Sequence, residues 1–326
     1  MSDKTGISWT DATWNPIAGC SLVSPGCTNC YAMKEAHRLG NALRQEKYRG
    51  LTKVVNGEPV WTGDVRLWPA ALDQPLRWKR PRRIFVNSMS DLFHEELSFS
   101  DVAAIFGVMA AARQHTFQIL TKRPENALRF FDWLTRFDAG YGPADTCVIA
   151  AGVKLRRAEM RFPVVPWPLK NVWLGVSAED QQRADERIPL LLQTPAAVRF
   201  VSAEPLLGPI DLSDCFSRYR EIGMQLLPLP DWVITGGESG PRPRSSNESW
   251  FRSILRECRS AGVAFFMKQY GALPLRWEVS PEVAAVEGIA PVLAGLKPKL
   301  RQRAGADPSE WPEDLRVQQF PGEAAA

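Results

Sequence analysis

Residues 83–134 read "RIFVNSMSDLFHEELSFSDVAAIFGVMAAARQHTFQILTKRPENALRFFDWL". The stretch opens on a short apolar run, Ile84–Val86, that ends in polar residues. With Ser100 as N-cap, Val102, Ile105, Phe106 and Met109 then recur at the spacing of one helix face. A second apolar run from Phe117 ends in Thr121, Lys122 and Arg123. Pro124 stands at a favourable first helical position, and Ala127, Phe130, Phe131 and Leu134 repeat the helical spacing behind it. The order is strand, helix, strand, helix.

The same rhythm extends outward. "NVWLGVSAED" from Asn171, "RFVSAEP" from Arg199, "WVITGGESG" from Trp232 and "AFFMKQYG" from Ala264 each carry a short apolar run ending in polar or glycine residues. Runs of that length suit strands buried on both faces of a parallel sheet. Ser245 to Arg259 has a helical pattern with Gly262 as its stop. Six strands are legible, and one around Ile7–Ile17 makes seven. Alternation with right-handed crossovers predicts an α/β fold, a single partial or closed (β/α) barrel of six to eight mostly parallel strands. The echo between "GVSAE" at 175–179, "VSAE" at 201–204 and "GGES" at 236–239 fits equivalent loops of such a barrel.

Two stretches interrupt the barrel expected over residues 1–273. At about 50–64, Asn56-Gly57 between two apolar runs signals a hairpin. Residues 138–170, rich in Gly and Pro, read as an irregular insertion. The polar, proline-punctuated residues 274–326 read as a C-terminal wrap or partly disordered tail.

With 326 residues, 45% of them hydrophobic, the chain can bury a substantial core. "MSDKTGIS" has no apolar leader core, and no apolar run is long enough to span a bilayer, so the expected location is cytoplasmic, with no membrane partner. The net charge of +4 permits contact with nucleic acid without requiring it. The densest basic run, "RWKRPRR" from Arg77 to Arg83, precedes its strand and therefore projects from the rim opposite the strand ends; it reads as a solvated face.

Three of the six cysteines, Cys20, Cys27 and Cys30, fall in "GCSLVSPGCTNCYA" with spacing C-x6-C-x2-C. In the cytosol, clustered thiols are metal ligands or redox groups more often than disulfides. Cys147, Cys215 and Cys258 are scattered, and Cys258 continues the helical series Phe251, Ile254, Leu255 as a core thiol. Thiolates select zinc, copper(I) or iron–sulfur clusters. A structural zinc needs a fourth ligand. His37 lies seven residues beyond Cys30, about 10 Å along a helix, so zinc would need a distant donor such as His94. A [4Fe-4S] cluster on three cysteines leaves one iron free for a small molecule.

In a parallel barrel, chemistry lies where strands end. Those ends supply Ser88, Ser90, Asp91 and His94; Thr121, Lys122 and Arg123; Ser177, Glu179 and Asp180; Ser202 and Glu204; Gly236, Gly237 and Glu238; and Lys268 with Gln269. Two plainer readings stand beside a shared site: Ser177 and Ser202 cap helices, and Glu179 and Glu204 pair with Lys122 or Arg123. Gly236 and Gly237 allow close backbone approach to a nucleoside, or serve a turn.

The cysteine loop, ending "CTNCYA" and running into a helix, resembles that of radical S-adenosylmethionine enzymes, whose usual spacing is C-x3-C-x2-C. The succession "ISWTDATWNP", "CTNCYA", "FVNSMSDLFH", "TFQILTKRPE", "NVWLGVSAED", "RFVSAEPLLGPI", "WVITGGESG", "FFMKQYG" is similar to an uncharacterised phage-associated family named after phage gene products thirty-seven and sixty-eight, a domain of unknown function. The resemblance implies a four-iron cluster on Cys20, Cys27 and Cys30, with S-adenosylmethionine on its open iron, reduced by an electron-donor protein. Ser88, Ser90, Asp91, Ser177, Gly236 and Gly237 are then the candidates for holding that cofactor. His94, Lys122, Arg123, Glu179, Glu204 and Lys268 are the candidates for handling an anionic small-molecule, nucleotide or nucleic-acid substrate. The alternative is a non-catalytic, zinc-binding, nucleic-acid-associated phage accessory protein, with the twelve tryptophans available for stacking. A third reading is a barrel whose thiols bind nothing.

Overall fold

The structure is a computed structural model that describes residues 5–136, 141–157, 166–216, 221–222, 225–226, 228–275, 298 and 300–323. Seven strands form the main sheet: β1 (Ala12–Trp14), β2 (Arg83–Val86), β3 (Thr116–Thr121), β4 (Val172–Ser177), β5 (Val198–Ala203), β6 (Trp232–Gly236) and β7 (Ala264–Gln269). They lie in chain order, each beside its predecessor. The registered pairs β1–β2, β2–β3, β3–β4, β5–β6 and β6–β7 are all parallel. This singly wound order is that of a (β/α) barrel. With β1 and β7 as end strands, the fold is α/β and the barrel is partial.

Among the described residues the helices of seven or more residues are α1 (Tyr31–His37), α2 (Phe99–Ala111), α3 (Pro124–Arg136), α4 (Pro143–Leu155), α5 (Gln181–Leu192) and α6 (Glu248–Ala261). None is long and apolar enough to cross a membrane. The chain divides into two compact units, Met1–Val176 with Gln193–Arg199, and Ser177–Leu192 with Phe200–Ala326.

In the first unit, α2 is capped by Ser98 and not by Ser100: Ser98 Oγ accepts from the Asp101 N–H at 3.1 Å and donates to the Asp101 carboxylate at 2.7 Å. The signal was the Ser-x-x-Asp spacing, a reciprocal cap with the shorter acid. Helix α2 is buried nearly all round because α4 packs across it. A Cβ on Gly107 would lie 2.0 Å from the Cys147 carbonyl oxygen. Helix α4 falls inside 138–170, where an irregular insertion was expected; Pro143 is its first residue, and residues 138–140 and 158–165 lie outside the described residues. Its buried face is built from small residues, Ala144, Cys147, Val148, Ala151 and Gly152, which leave a faint periodic signal. Phe93, Phe106, Phe130 and Phe131 interlock beside it, with ring centroids 5.2–6.5 Å apart. Strands Thr52–Val55 and Glu58–Trp61 form a hairpin turned by Asn56 and Gly57, both at positive φ, as a two-residue turn of this hand requires.

In the second unit, Trp232 on β6 packs against Phe200, Phe266 and Phe320. Helix α6 ends on Gly262 at φ 69°. Cys258 is fully buried in its core face. The chain from Gly305 to Gln319 runs along β7: Met267 N–H donates to Val317 O, Gln319 N–H to Phe265 O, and Tyr270 N–H to Gly305 O. Trp311 is buried there and donates its indole N–H to Gly305 O at 2.8 Å. An exposed edge strand is thereby covered. Residues 276–297, 299 and 324–326 of the segment expected as a wrap or tail lie outside the described residues.

Candidate metal-loop site

The cysteine loop leaves the end of β1 and is tied to the end of β2. Asn87 sits directly after β2 at φ 60°, its N–H on Trp14 O, and its Oδ1 accepts from the Ile17 N–H at 3.4 Å. Asn15 Oδ1 accepts from Ser88 Oγ at 3.2 Å and from the Met89 N–H at 3.1 Å, while Ser90 Oγ donates to Ile17 O. Ser88 and Ser90 thus spend their hydroxyls on the loop. Gly19 bridges to Ser90 and adopts φ +95°; a Cβ there would lie 2.0 Å from Asp64 O, so the residue before Cys20 must be glycine. Cys27 ends a short turn, Pro25–Cys27, and Cys30 immediately precedes α1. Cys20 and Cys30 pack on an apolar cluster that includes Ala18, Met33, Leu51, Trp61 and Met89.

Arg123, at the end of β3, is the hub of this region. Its Nε donates to both Glu95 oxygens at 3.0 Å, its Nη1 to Asp91 Oδ2 at 3.1 Å, and its Nη2 to Ser21 Oγ at 2.7 Å and Ser21 O at 3.2 Å. Nη1 also lies 3.9 Å from Cys20 Sγ. Asp91 is saturated: Oδ1 accepts from Thr121 Oγ1 at 2.7 Å and the Phe93 N–H at 3.0 Å, and Oδ2 accepts from the Lys122 N–H at 3.0 Å as well as from Arg123. Burial opposes the guanidinium charge, but Asp91, Cys20 and Glu95 raise its pKa above the ordinary arginine value.

His94 is buried with both ring nitrogens engaged. Nδ1 accepts from the Glu96 N–H at 3.2 Å, so Nε2 carries the proton and donates to Ser21 Oγ at 2.8 Å. Burial, reinforced by Arg123, holds its pKa below the ordinary histidine value. His37 Nδ1 is likewise occupied, by Thr52 Oγ1 at 3.1 Å and Asn41 Nδ2 at 2.9 Å.

Burial pushes the Cys20 thiol up to about 12, Asp91 adds to the rise, and Arg123 opposes it. Cys30 is also raised by burial, with the Ala32 and Met33 N–H groups and the Lys122 ammonium pulling the other way. Cys20 feels both other thiols, and Cys30 feels Cys27, which places the three in one electrostatic neighbourhood. Among the described residues no three His, Cys, Asp or Glu side chains form a ready-made ligand set. The donor chemistry suits a thiophilic metal nonetheless: three soft ligands on one loop, partly withdrawn from water, with the Lys122 ammonium and the Ala32 and Met33 N–H groups favouring thiolate at Cys30.

The second unit holds its own cluster. Glu179 is fully buried and pairs with Arg187 of α5 at 3.0 Å, and the same Nη1 donates to Ser177 O at 2.8 Å. Glu204 accepts from Ser202 Oγ at 3.1 Å and lies 3.0 Å from Lys268 Nζ. The alternative partners expected for Glu179 and Glu204, Lys122 or Arg123, are replaced by partners on the following helix and on β7. Ser202 serves Glu204 in place of a helix end. Asp180 Oδ1 accepts from the Arg183 N–H at 2.9 Å near the start of α5. A Cβ on Gly236 would lie 2.6 Å from Glu204 Oε1, and one on Gly237 2.5 Å from Tyr270 O, so close internal packing already demands both glycines. Glu238 is clamped by Arg244, and Gln269 Nε2 donates to Gly237 O at 2.7 Å.

The structure thus gathers Cys20, Asp91, His94, Thr121 and Arg123 in the first unit, and Ser202, Glu204, Gly236 and Lys268 in the second. Ser21, Glu95, Arg187 and Lys47 were missed. Lys47 is buried, donates to Asn15 O at 2.5 Å, and is pushed by burial down to about 8. Only Arg187 carried a signal, as the one basic residue on the apolar face of its helix.

Residues 4–295 match DUF5131, described as a protein of unknown function, and the chain belongs to that family. No curated protein and no solved structure matches it.

Proposed function

For this member of the DUF5131 family we propose an iron–sulfur enzyme of the radical S-adenosylmethionine type. The observation that carries the reading is the position of the three thiols: one loop leaving the end of a parallel β-strand and braced against the neighbouring strand end, with the Lys122 ammonium acting on Cys30. The likeness to the phage-associated family belongs to the same reading and specifies no reaction.

Cys20, Cys27 and Cys30 would hold the cluster. When bound, the group supplies one-electron reduction of S-adenosylmethionine, cleaving a carbon–sulfur bond to give methionine and a carbon radical. The chain's own residues supply the setting. Asn15, Asn87, Ser88 and Ser90 fix the loop to β2. The apolar cluster under Cys20 and Cys30 limits water at the sulfurs. Lys122, whose ammonium acts on Cys30, is the candidate to receive an anionic group of a molecule at the loop. Lys268 and Glu204 form a second polar pair suited to substrate contact in their own unit.

The zinc reading needs a fourth donor, and His94, the histidine tied to the loop through Ser21, already has both ring nitrogens in hydrogen bonds. Anaerobic reconstitution with iron and sulfide, followed by an assay for S-adenosylmethionine cleavage under dithionite, tests the proposal. Formation of deoxyadenosine and methionine that disappears in Cys20→Ala, Cys27→Ala and Cys30→Ala supports it. A colourless protein holding one zinc, with no cleavage, overturns it.

A further inference from the structure

We propose that Arg123, acting with His94 through Ser21, is a positioning residue that clamps Cys20, and that its guanidinium is unavailable to substrate. This rests on the reading of the loop as a metal site. Every nitrogen of Arg123 is committed: Nε to Glu95, Nη1 to Asp91, and Nη2 to Ser21, at 2.7–3.2 Å. The side chain is 5% exposed, so it offers no face to an incoming anion. What it holds is the residue next to Cys20. Ser21 Oγ receives Arg123 Nη2 and His94 Nε2 together, its carbonyl receives Arg123 again, and Cys20 Sγ itself lies 3.5 Å from that carbonyl.

The clamp answers a problem that the sequence sets. Six residues separate Cys20 from Cys27, and Leu22 and Val23 within that gap are exposed. A longer gap leaves the first thiol more conformational freedom to lose when the three sulfurs converge on a metal. Fixing Ser21 from two directions removes that freedom at the residue where the gap begins. Cys30 is fixed differently, by the start of α1. Cys20 therefore depends on a long-range tether, and its fork geometry is one that lysine cannot reproduce.

The test uses full-length protein with Arg123→Lys, and Ser21→Ala as a milder change that spares the Asp91 pair. Two readouts are taken. The first is alkylation of metal-free protein by iodoacetamide, with the rate at Cys20 compared with that at Cys27 of the same molecules by peptide mass spectrometry. The second is the affinity for cobalt(II), followed by thiolate charge-transfer absorption. The clamp predicts a Cys20 rate at least about tenfold higher in Arg123→Lys, with Cys27 unchanged, and cobalt affinity about 10–100-fold weaker, the range for loss of an outer-sphere partner of a metal ligand. Ser21→Ala shifts both in the same direction by less. Wild-type rates at Cys20 and wild-type cobalt affinity in Arg123→Lys overturn the clamp. A selective rise at Cys20 in protein that binds no cobalt or iron upholds the tether and overturns the metal reading instead.

Discussion

Replacing Asp91 with Asn tests how far the rim of the first unit depends on one carboxylate. The carboxylate accepts four hydrogen bonds: Thr121 Oγ1 and Phe93 N–H on one oxygen, Lys122 N–H and Arg123 Nη1 on the other. Asparagine has a single oxygen. Its better orientation leaves that oxygen facing Lys122 and Arg123 and turns the amide NH2 toward Phe93 and Thr121. Thr121 Oγ1 can rotate to accept, as it already does from the Arg123 N–H at 2.9 Å. The Phe93 N–H cannot, and a buried donor stripped of its acceptor costs about 1–3 kcal/mol. Exchanging a charge-assisted bond to Arg123 for a neutral one costs about 1 kcal/mol more. The sum is a destabilisation of about 2–4 kcal/mol, read as a lower urea midpoint at unchanged slope in equilibrium unfolding followed by circular dichroism. A loss below about 1 kcal/mol would mean that the four contacts do not act together.

Breaking the buried Glu179–Arg187 pair by Arg187→Met removes the cation 3.0 Å from a fully buried carboxylate, and thermal unfolding is expected to show a loss of about 3–5 kcal/mol; adding Glu179→Leu should recover most of it, since the penalty belongs to the buried charge whose cation is gone. Acidification should weaken the fold below about pH 6.5. Burial, helped by Arg123, lowers the pKa of His94 from 6.5, and burial leads the same shift at His115, with Arg82 adding to it. In the window beneath 6.5 the unfolded chain binds protons that the native chain does not, so stability rises with pH there and falls as pH drops. Urea midpoints at pH 5.5 and 7.5 check this, and the double variant His94→Gln, His115→Gln should narrow the gap between them.

The sheet was legible because each strand ends abruptly: "FQIL" stops at Thr121 and "VWLGVS" at Ala178, and helix signals follow. Helix α4 was hidden because Ala144, Ala151 and Gly152 pack through smallness, which hydrophobic periodicity does not register. The cysteines were found by their spacing alone. What holds them was not, since Ser21 and Arg123 stand 102 residues apart and only the neighbouring ends of β1, β2 and β3 bring them together. The sequence shows Arg123 as a cation at a strand end, a candidate for substrate; the fold turns its three nitrogens onto Glu95, Asp91 and Ser21. Glu179 and Glu204 were recognised as charges needing partners, but the nearest partners in space lay on the following helix and the last strand. Sequence thus marks where charge is concentrated, while the division of that charge between internal pairing and ligand contact depends on distances that only folding sets.

The proposed function requires Cys20, Cys27 and Cys30 to hold a cluster with one corner free. Metal analysis and the visible absorption spectrum of protein purified without exposure to air test it most directly. The expected result is a brown protein with about four irons and four sulfides per chain, lost on replacing any one of the three cysteines. A colourless protein, or one whose metal content survives those replacements, contradicts it.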